Sequence, residues 1–258
     1  MQKKLVILII SSILLFTSCE SAPGNIIHES GYFQYRIIDI DNDNLEEALI
    51  MGLSAEGKKQ ETLVIPTTID KYEVVSLGDN NGFQGKEGNI YIDTLKNVYI
   101  TDHIDYIGNE QFFNFNNSEY DNYQNSVFIG NVNVNEYDYL WYNIFRNFDN
   151  IYLAKETSEI EFYSEKLIKN KCIYANVIYD LNYGESNIFM VDDCDGTIVS
   201  ILPPNPIREG YEFLGWYKEP ECINKWDFEN DIVPAKEYDE TGEYIFKETK
   251  LYAKWEVK

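Results

Sequence analysis

The chain has 258 residues and carries 44 Asp and Glu against 21 Lys and Arg, a formal charge of −23 that repels phosphate backbones and excludes nucleic acid as a partner. Its 14 Phe, 4 Trp and 21 Tyr favour β-rich packing over a helical bundle. The length leaves room for one or two domains with a substantial core, so a disordered chain is excluded as well.

Residues 1–18 have the form of an export leader: Lys3 and Lys4, then a mostly apolar run from Leu5 to Phe16. That run is about 12 residues, well short of the roughly 20 that a membrane-spanning helix needs. The tetrapeptide Phe16-Thr17-Ser18-Cys19 resembles the bacterial lipobox, with Phe16 where Leu is usual. The resemblance implies cleavage before Cys19 and lipidation of that residue, palmitate included. The product would be an exported, extracytoplasmic protein lipid-anchored at the cell membrane or cell surface. Two or more acyl chains suffice for such anchoring. Residues 19–31, polar and broken by Pro23, Gly24 and Gly31, read as the tether.

From Tyr32 to Leu53, YFQYRIIDI and ALIMGL are strand candidates joined by an acidic turn, a hairpin suited to capping a stack. Asp39, Asp41 and Asp43 sit at the first, third and fifth positions of an EF-hand loop. Asn44 stands where Gly is needed, however, and Ile50 where a bidentate Glu is needed, so no metal site is expected.

Past Thr62 the chain repeats itself. LVIPTTIDKYEVVSLGDNNGF (63–83) aligns with VYITDHIDYIGNEQFF (98–113) once KYEV is dropped, and weaker echoes begin at Val127 and Ile151. Each unit reads as a short strand, a polar turn and an apolar-Gly tail, with Leu77-Gly78 and Ile107-Gly108 as equivalents. The pattern resembles the BspA-like leucine-rich repeats of bacterial surface proteins, clearly over residues 33–115 and loosely over 126–170. Gly82 keeps the small residue before the closing Phe83, whereas Gln111 departs from it. One strand and turn cannot bury its own apolar face, so such units must stack and be sealed at both ends. Residues 114–171 would seal the second end. Trp141, Phe145 and Phe148 recur there at helical spacing, which reads as a short helix with a core-facing stripe.

Beyond Lys171, CIYANVIYDLNYG reads as a strand, and IFMV, DDCDG and TIVSIL as a hairpin. Three prolines (Pro203, Pro204 and Pro206) feed an extended connector into IREGYEFLGWY, where Tyr211 and Phe213 are expected on one face and Leu214 and Trp216 on the other. An acidic-aromatic stretch follows, with an insertion over 238–249. The closing strand LYAKW places Leu251, Ala253, Trp255 and Val257 on one face. Together these segments resemble the internalin B-repeat, or Listeria-Bacteroides repeat, over about Tyr174–Val257. The resemblance implies a compact β-grasp fold with Trp216 and Trp255 in structural roles. The expected fold class is therefore mainly β with some α: a short leucine-rich-repeat solenoid (residues 32–171) followed by a small β-grasp-like module (172–258). The polar join at 169–171 predicts two independently folding units.

No catalytic motif is present: GxSxG, HExxH, a Walker loop and GxGxxG are all missing. Only His28, in the tether, and His103, in a turn and expected to be exposed, could serve an acid-base step. Cys172, Cys194 and Cys222 match no zinc spacing and allow one disulfide at most, so free thiols are expected. No cofactor is called for. The expectation is a non-enzymatic surface lipoprotein that binds or adheres to an extracellular protein or envelope partner, with charge favouring a protein bearing a basic patch. The binding face would be the outward residues of the repeat strands, Val64, Tyr99, Phe128 and Tyr152. Two alternatives stand beside it. One is a cell-envelope hydrolase using acidic residues, recognisable by a cleft with facing carboxylates; the other is a carbohydrate-binding or purely structural spacer protein.

Overall fold

The computed structural model describes residues 26–40, 42–78, 90–91, 95–108, 112–113, 125–130, 145, 148–158, 172–183, 187–199 and 201–258. The chain is mainly β, and among the described residues no helix reaches seven residues. Cys19, the polar stretch 114–124, Trp141 and the join at 169–171 lie outside the described residues.

At the N-terminal end, Phe33–Ile38 and Glu47–Leu53 form the expected antiparallel hairpin. The acidic turn between them satisfies itself: Asp39 accepts the backbone N–H groups of Asp43 and Asn44, and Asp43 accepts that of Leu45. With Asn42 and Asn44 at φ 64° and 74°, it is a tight turn whose carboxylates serve the local backbone. The hairpin carries the chain into Tyr72–Leu77, which pairs in parallel with Glu47–Leu53 on one side and Tyr106–Ile107 on the other.

A second sheet is a five-stranded parallel ladder whose neighbouring strands lie in chain order: Thr62–Val64, Asn97–Ile100, Ser126–Ile129, Asn150–Leu153 and Cys172–Tyr174. The repeat starts read from the sequence are the partners in register, Leu63 to Val98, Val98 to Val127 and Val127 to Ile151. Parallel in-register stacking puts equivalent side chains over one another. One column, Leu63, Val98, Val127 and Ile151, is buried, and the residues two further on, Ile65, Ile100, Ile129 and Leu153, are buried with it. The apolar-Gly tails stack too: Leu77 pairs with Ile107, and the Gly108 N–H donates to Leu77 at 2.6 Å. Phe145 and Phe148 enter this same core, as a core-facing stripe requires.

The C-terminal part is a four-stranded sheet, ordered Ile188–Asp192, Val177–Asp180, Thr249–Val257 and Tyr211–Tyr217. Three details differ from the sequence reading. The stretch CIYANVIYD is two strands broken at Ala175-Asn176, and Cys172–Tyr174 completes the ladder rather than opening the module. The hairpin partner of Ile188–Asp192 is Val177–Asp180, whereas the described residues of TIVSIL are in no strand. A bulge between Phe213 and Gly215 shifts the alternation, so Phe213 lies opposite Trp255 and Trp216 opposite Ala253 on one face, their rings 5.3 Å apart. The bulge depends on Gly215, at φ 122° with the Lys225 side chain 2.5 Å from where a Cβ would lie. Residues 237–245 fold into a small hairpin of their own, its turn organised by Asp239.

Candidate functional site

The ladder presents a second column of side chains, Val64, Tyr99, Phe128 and Tyr152, the residues expected to make an open binding face. They do stack: the Tyr99, Phe128 and Tyr152 rings are 4.4 Å apart in succession and within 9° of parallel. The column is covered, however, from within the chain. Tyr99 and Phe128 retain 2% and 5% of their exposure, and Val64 and Tyr152 pack against the same cluster. That cluster joins them to Tyr179, Phe189, Trp216 and Leu251 of the C-terminal sheet. The physical reason is area: a column of three aromatic rings left in water forgoes burial worth several kcal/mol, and the neighbouring sheet supplies the cover. Ladder and module thus share this buried cluster.

Polar contacts stitch the same boundary. The buried Tyr99 hydroxyl donates to Asp192 Oδ1 at 3.0 Å. Burial pushes the Asp192 carboxyl above its ordinary range, and the bonds from the Asp193 N–H, Tyr99 and the Cys194 thiol work against that rise. Asp102 N–H donates to the Phe189 carbonyl at 2.8 Å, Ala175 N–H to the Leu153 carbonyl at 2.9 Å, and Thr67 Oγ1 to the Asn205 carbonyl at 2.8 Å. Removing the Tyr99 hydroxyl in Tyr99→Phe takes one donor from a buried carboxyl and leaves it only the Asp193 N–H and the weak Cys194 thiol. A loss of about 1–3 kcal/mol is expected, seen as a lower urea midpoint at unchanged slope.

Beside these contacts a cleft of about 190 Å³ opens between ladder and module. Glu73, Asp102, His103 and Asp105 line one wall, and Leu181, Tyr183, Phe189, Pro206 and Ile207 the other. His103 is not the exposed turn residue expected from the sequence. Its side chain keeps 19% exposure and its Nε2 lies against Glu73 Oε1. Burial depresses the imidazole, but the hydrogen bond and charge of Glu73, aided by Asp102 and Asp105, prevail and raise its pKa. Glu73, bonded to His103, is held below the usual carboxylate range. Asp102 is pushed up to about 7, chiefly by burial, with His103 opposing and Asp105 adding to the shift. No local motif marks this cluster, because its two walls are some 80 residues apart in sequence and meet only through the shared core.

Behind the module wall of the cleft, Arg208 stacks on Tyr211 at 3.7 Å and Tyr183 at 4.4 Å, and the Trp255 indole N–H donates to the Leu181 carbonyl at 2.6 Å. Trp255 is thereby half-buried and anchored, in keeping with a structural role. Cys172, Cys194 and Cys222 are separate thiols, and burial pushes Cys172 up to about 11. Among the described residues no group of His, Cys, Asp and Glu is arranged to hold a metal ion.

Residues 176–254 match the Listeria-Bacteroides repeat domain, which covers the four-stranded sheet and its hairpin almost end to end. Two proteins of Evansella cellulosilytica are also similar. One is named as a membrane protein and is 27% identical over 106 residues; the other is named as a Gly-rich membrane protein and is 27% identical over 108 residues. Each match takes in 39% of this chain, which spans only 14% and 11% of those relatives' lengths. No helix among the described residues is long and apolar enough to cross a membrane.

Proposed function

We propose that this chain is a non-enzymatic, lipid-anchored surface protein, held through Cys19, whose module presents an acidic face to an extracellular protein with a basic patch. On this reading the ladder is a short BspA-like leucine-rich-repeat solenoid, and the module a compact β-grasp. The in-register repeats and the domain match support those assignments. The observation that carries the function is the pair Glu212 and Glu256. They face each other across neighbouring strands, both exposed, with no cationic partner among the described residues. Like charges placed so are destabilising, by about 0.2–1 kcal/mol, and a fold gains nothing by keeping them for itself. The covered ladder column leaves this outer face as the better surface for a partner.

The test separates binding from folding. Glu212→Gln with Glu256→Gln should leave the melting temperature equal or slightly higher. It should also weaken capture of host extracellular protein and lessen the dependence on salt, because steering through exposed charge is screened within about 8 Å at physiological ionic strength. Capture of a neutral polysaccharide at all salt concentrations would instead support the carbohydrate-binding alternative.

The cleft at the junction is the observation that favours a hydrolase, since it sets a carboxyl titrating near 7 on Asp102 beside the ionised Glu73. Two features weigh against that reading. The Glu73 carboxylate is engaged by His103, and the cleft, at about 190 Å³, is smaller than the roughly 300–1,000 Å³ of sites that hold ligands.

A further inference from the structure

We propose that the Glu73, Asp102, His103 and Asp105 cluster is a pH-sensitive latch, holding ladder and module together in mildly acidic surroundings and loosening their junction as the pH rises. The geometry places it on the seam. The backbone N–H of Asp102 is bonded to Phe189 of the module, while its side chain lies in the cleft whose far wall is Leu181, Tyr183, Phe189 and the Pro206-Ile207 connector. Among the described residues, these charges face Asp102. Glu73 stands on the strand Tyr72–Leu77, His103 and Asp105 share its own turn, and Tyr183 faces it from the module with Arg208 stacked behind that ring. No Lys or Arg lines the cleft among the described residues, so an ionised Asp102 meets other carboxylates and apolar carbon with only His103 to offset them.

The directions agree. Asp102 titrates near 7 with the junction closed and near its ordinary 3.8 once opened to water, so ionising it favours the open state. Its contribution to closure is full below the open-state value, falls as pH rises toward 7, and is gone above it. His103, raised above 6.5 when closed, contributes below that value and loses its contribution as the proton leaves. Glu73 is held below 4.5, so it stays ionised throughout the range between about pH 5 and pH 8 and adds no slope there.

The readout is the protection of the Asp102 amide against hydrogen exchange in the full chain, corrected for the intrinsic rate at each pH. From Asp102 alone, protection should fall about thirtyfold between about pH 5.5 and pH 8, as linkage requires of a group with those two titration points. The Ser126 amide, bonded to Lys96 inside the ladder at 2.7 Å, should change less than about threefold. Asp102→Asn should remove most of the slope at the amide of residue 102 while keeping the fold, leaving only the smaller His103 part. If that variant does not fold, the two amides of the wild-type chain decide the question alone. Equal losses at Asp102 and Ser126, or no loss at either, would overturn the latch, as would an unchanged slope in Asp102→Asn.

Discussion

Gly130→Ala is expected to cost about 3 kcal/mol and to open the boundary between ladder and module. The Gly130 N–H donates to the Ile100 carbonyl at 2.9 Å, which fixes it at the end of a ladder strand. A Cβ there would lie 2.2 Å from the Phe189 carbonyl oxygen and 3.0 Å from the Asp102 nitrogen. Those two atoms are the acceptor and donor of the 2.8 Å hydrogen bond that crosses the boundary. Neither is a side chain that can swing away, so relief requires the backbones to part and the bond to break. Overpacking of this kind costs about 1–3 kcal/mol in cores, and a lost buried backbone bond places the figure at the upper end. Urea denaturation gives the loss, and the Asp102 amide should lose its protection first.

Trp216→Ala should cost more, about 3–5 kcal/mol, by emptying the centre of the shared cluster. Trp216 is 2% exposed and lies 5.1 Å from the Tyr179 ring, 5.3 Å from Phe213 and 5.8 Å from Phe189. Phe189 and Tyr179 belong to the cluster that covers Tyr99 and Phe128, so the damage should not stop at the module. Thermal unfolding followed by far-ultraviolet circular dichroism should show the entire transition moving down. A ligand-platform Trp would leave that transition in place and weaken only binding.

The repeat ladder was legible because its signal is local. Apolar residues at 63, 98, 127 and 151 start similar short strands, and parallel stacking converts that similarity directly into register. The hairpin at 33–53 and the alternation of Leu251, Ala253 and Trp255 were legible for the same reason. What lay beyond sequence reading was which surface meets which. Alternation identifies a second apolar column at Tyr99 and Phe128, but whether it faces solvent, a partner or the chain's own next sheet depends on contacts some 90 residues apart. The burial of His103 is hidden from its local sequence on the same ground, since Glu73 and the module wall reach it only in the folded chain. The bulge at Leu214-Gly215 escaped the period-two pattern because one extra residue reverses every face after it.

Differential scanning calorimetry of the full chain tests most directly whether the ladder and the module are one body. A shared core in which Tyr99 and Phe128 belong to one buried cluster with Phe189 and Trp216 predicts a single transition whose calorimetric and van't Hoff enthalpies agree. Two separated transitions, with the module melting at the same temperature when expressed as residues 172–258 alone, would contradict it.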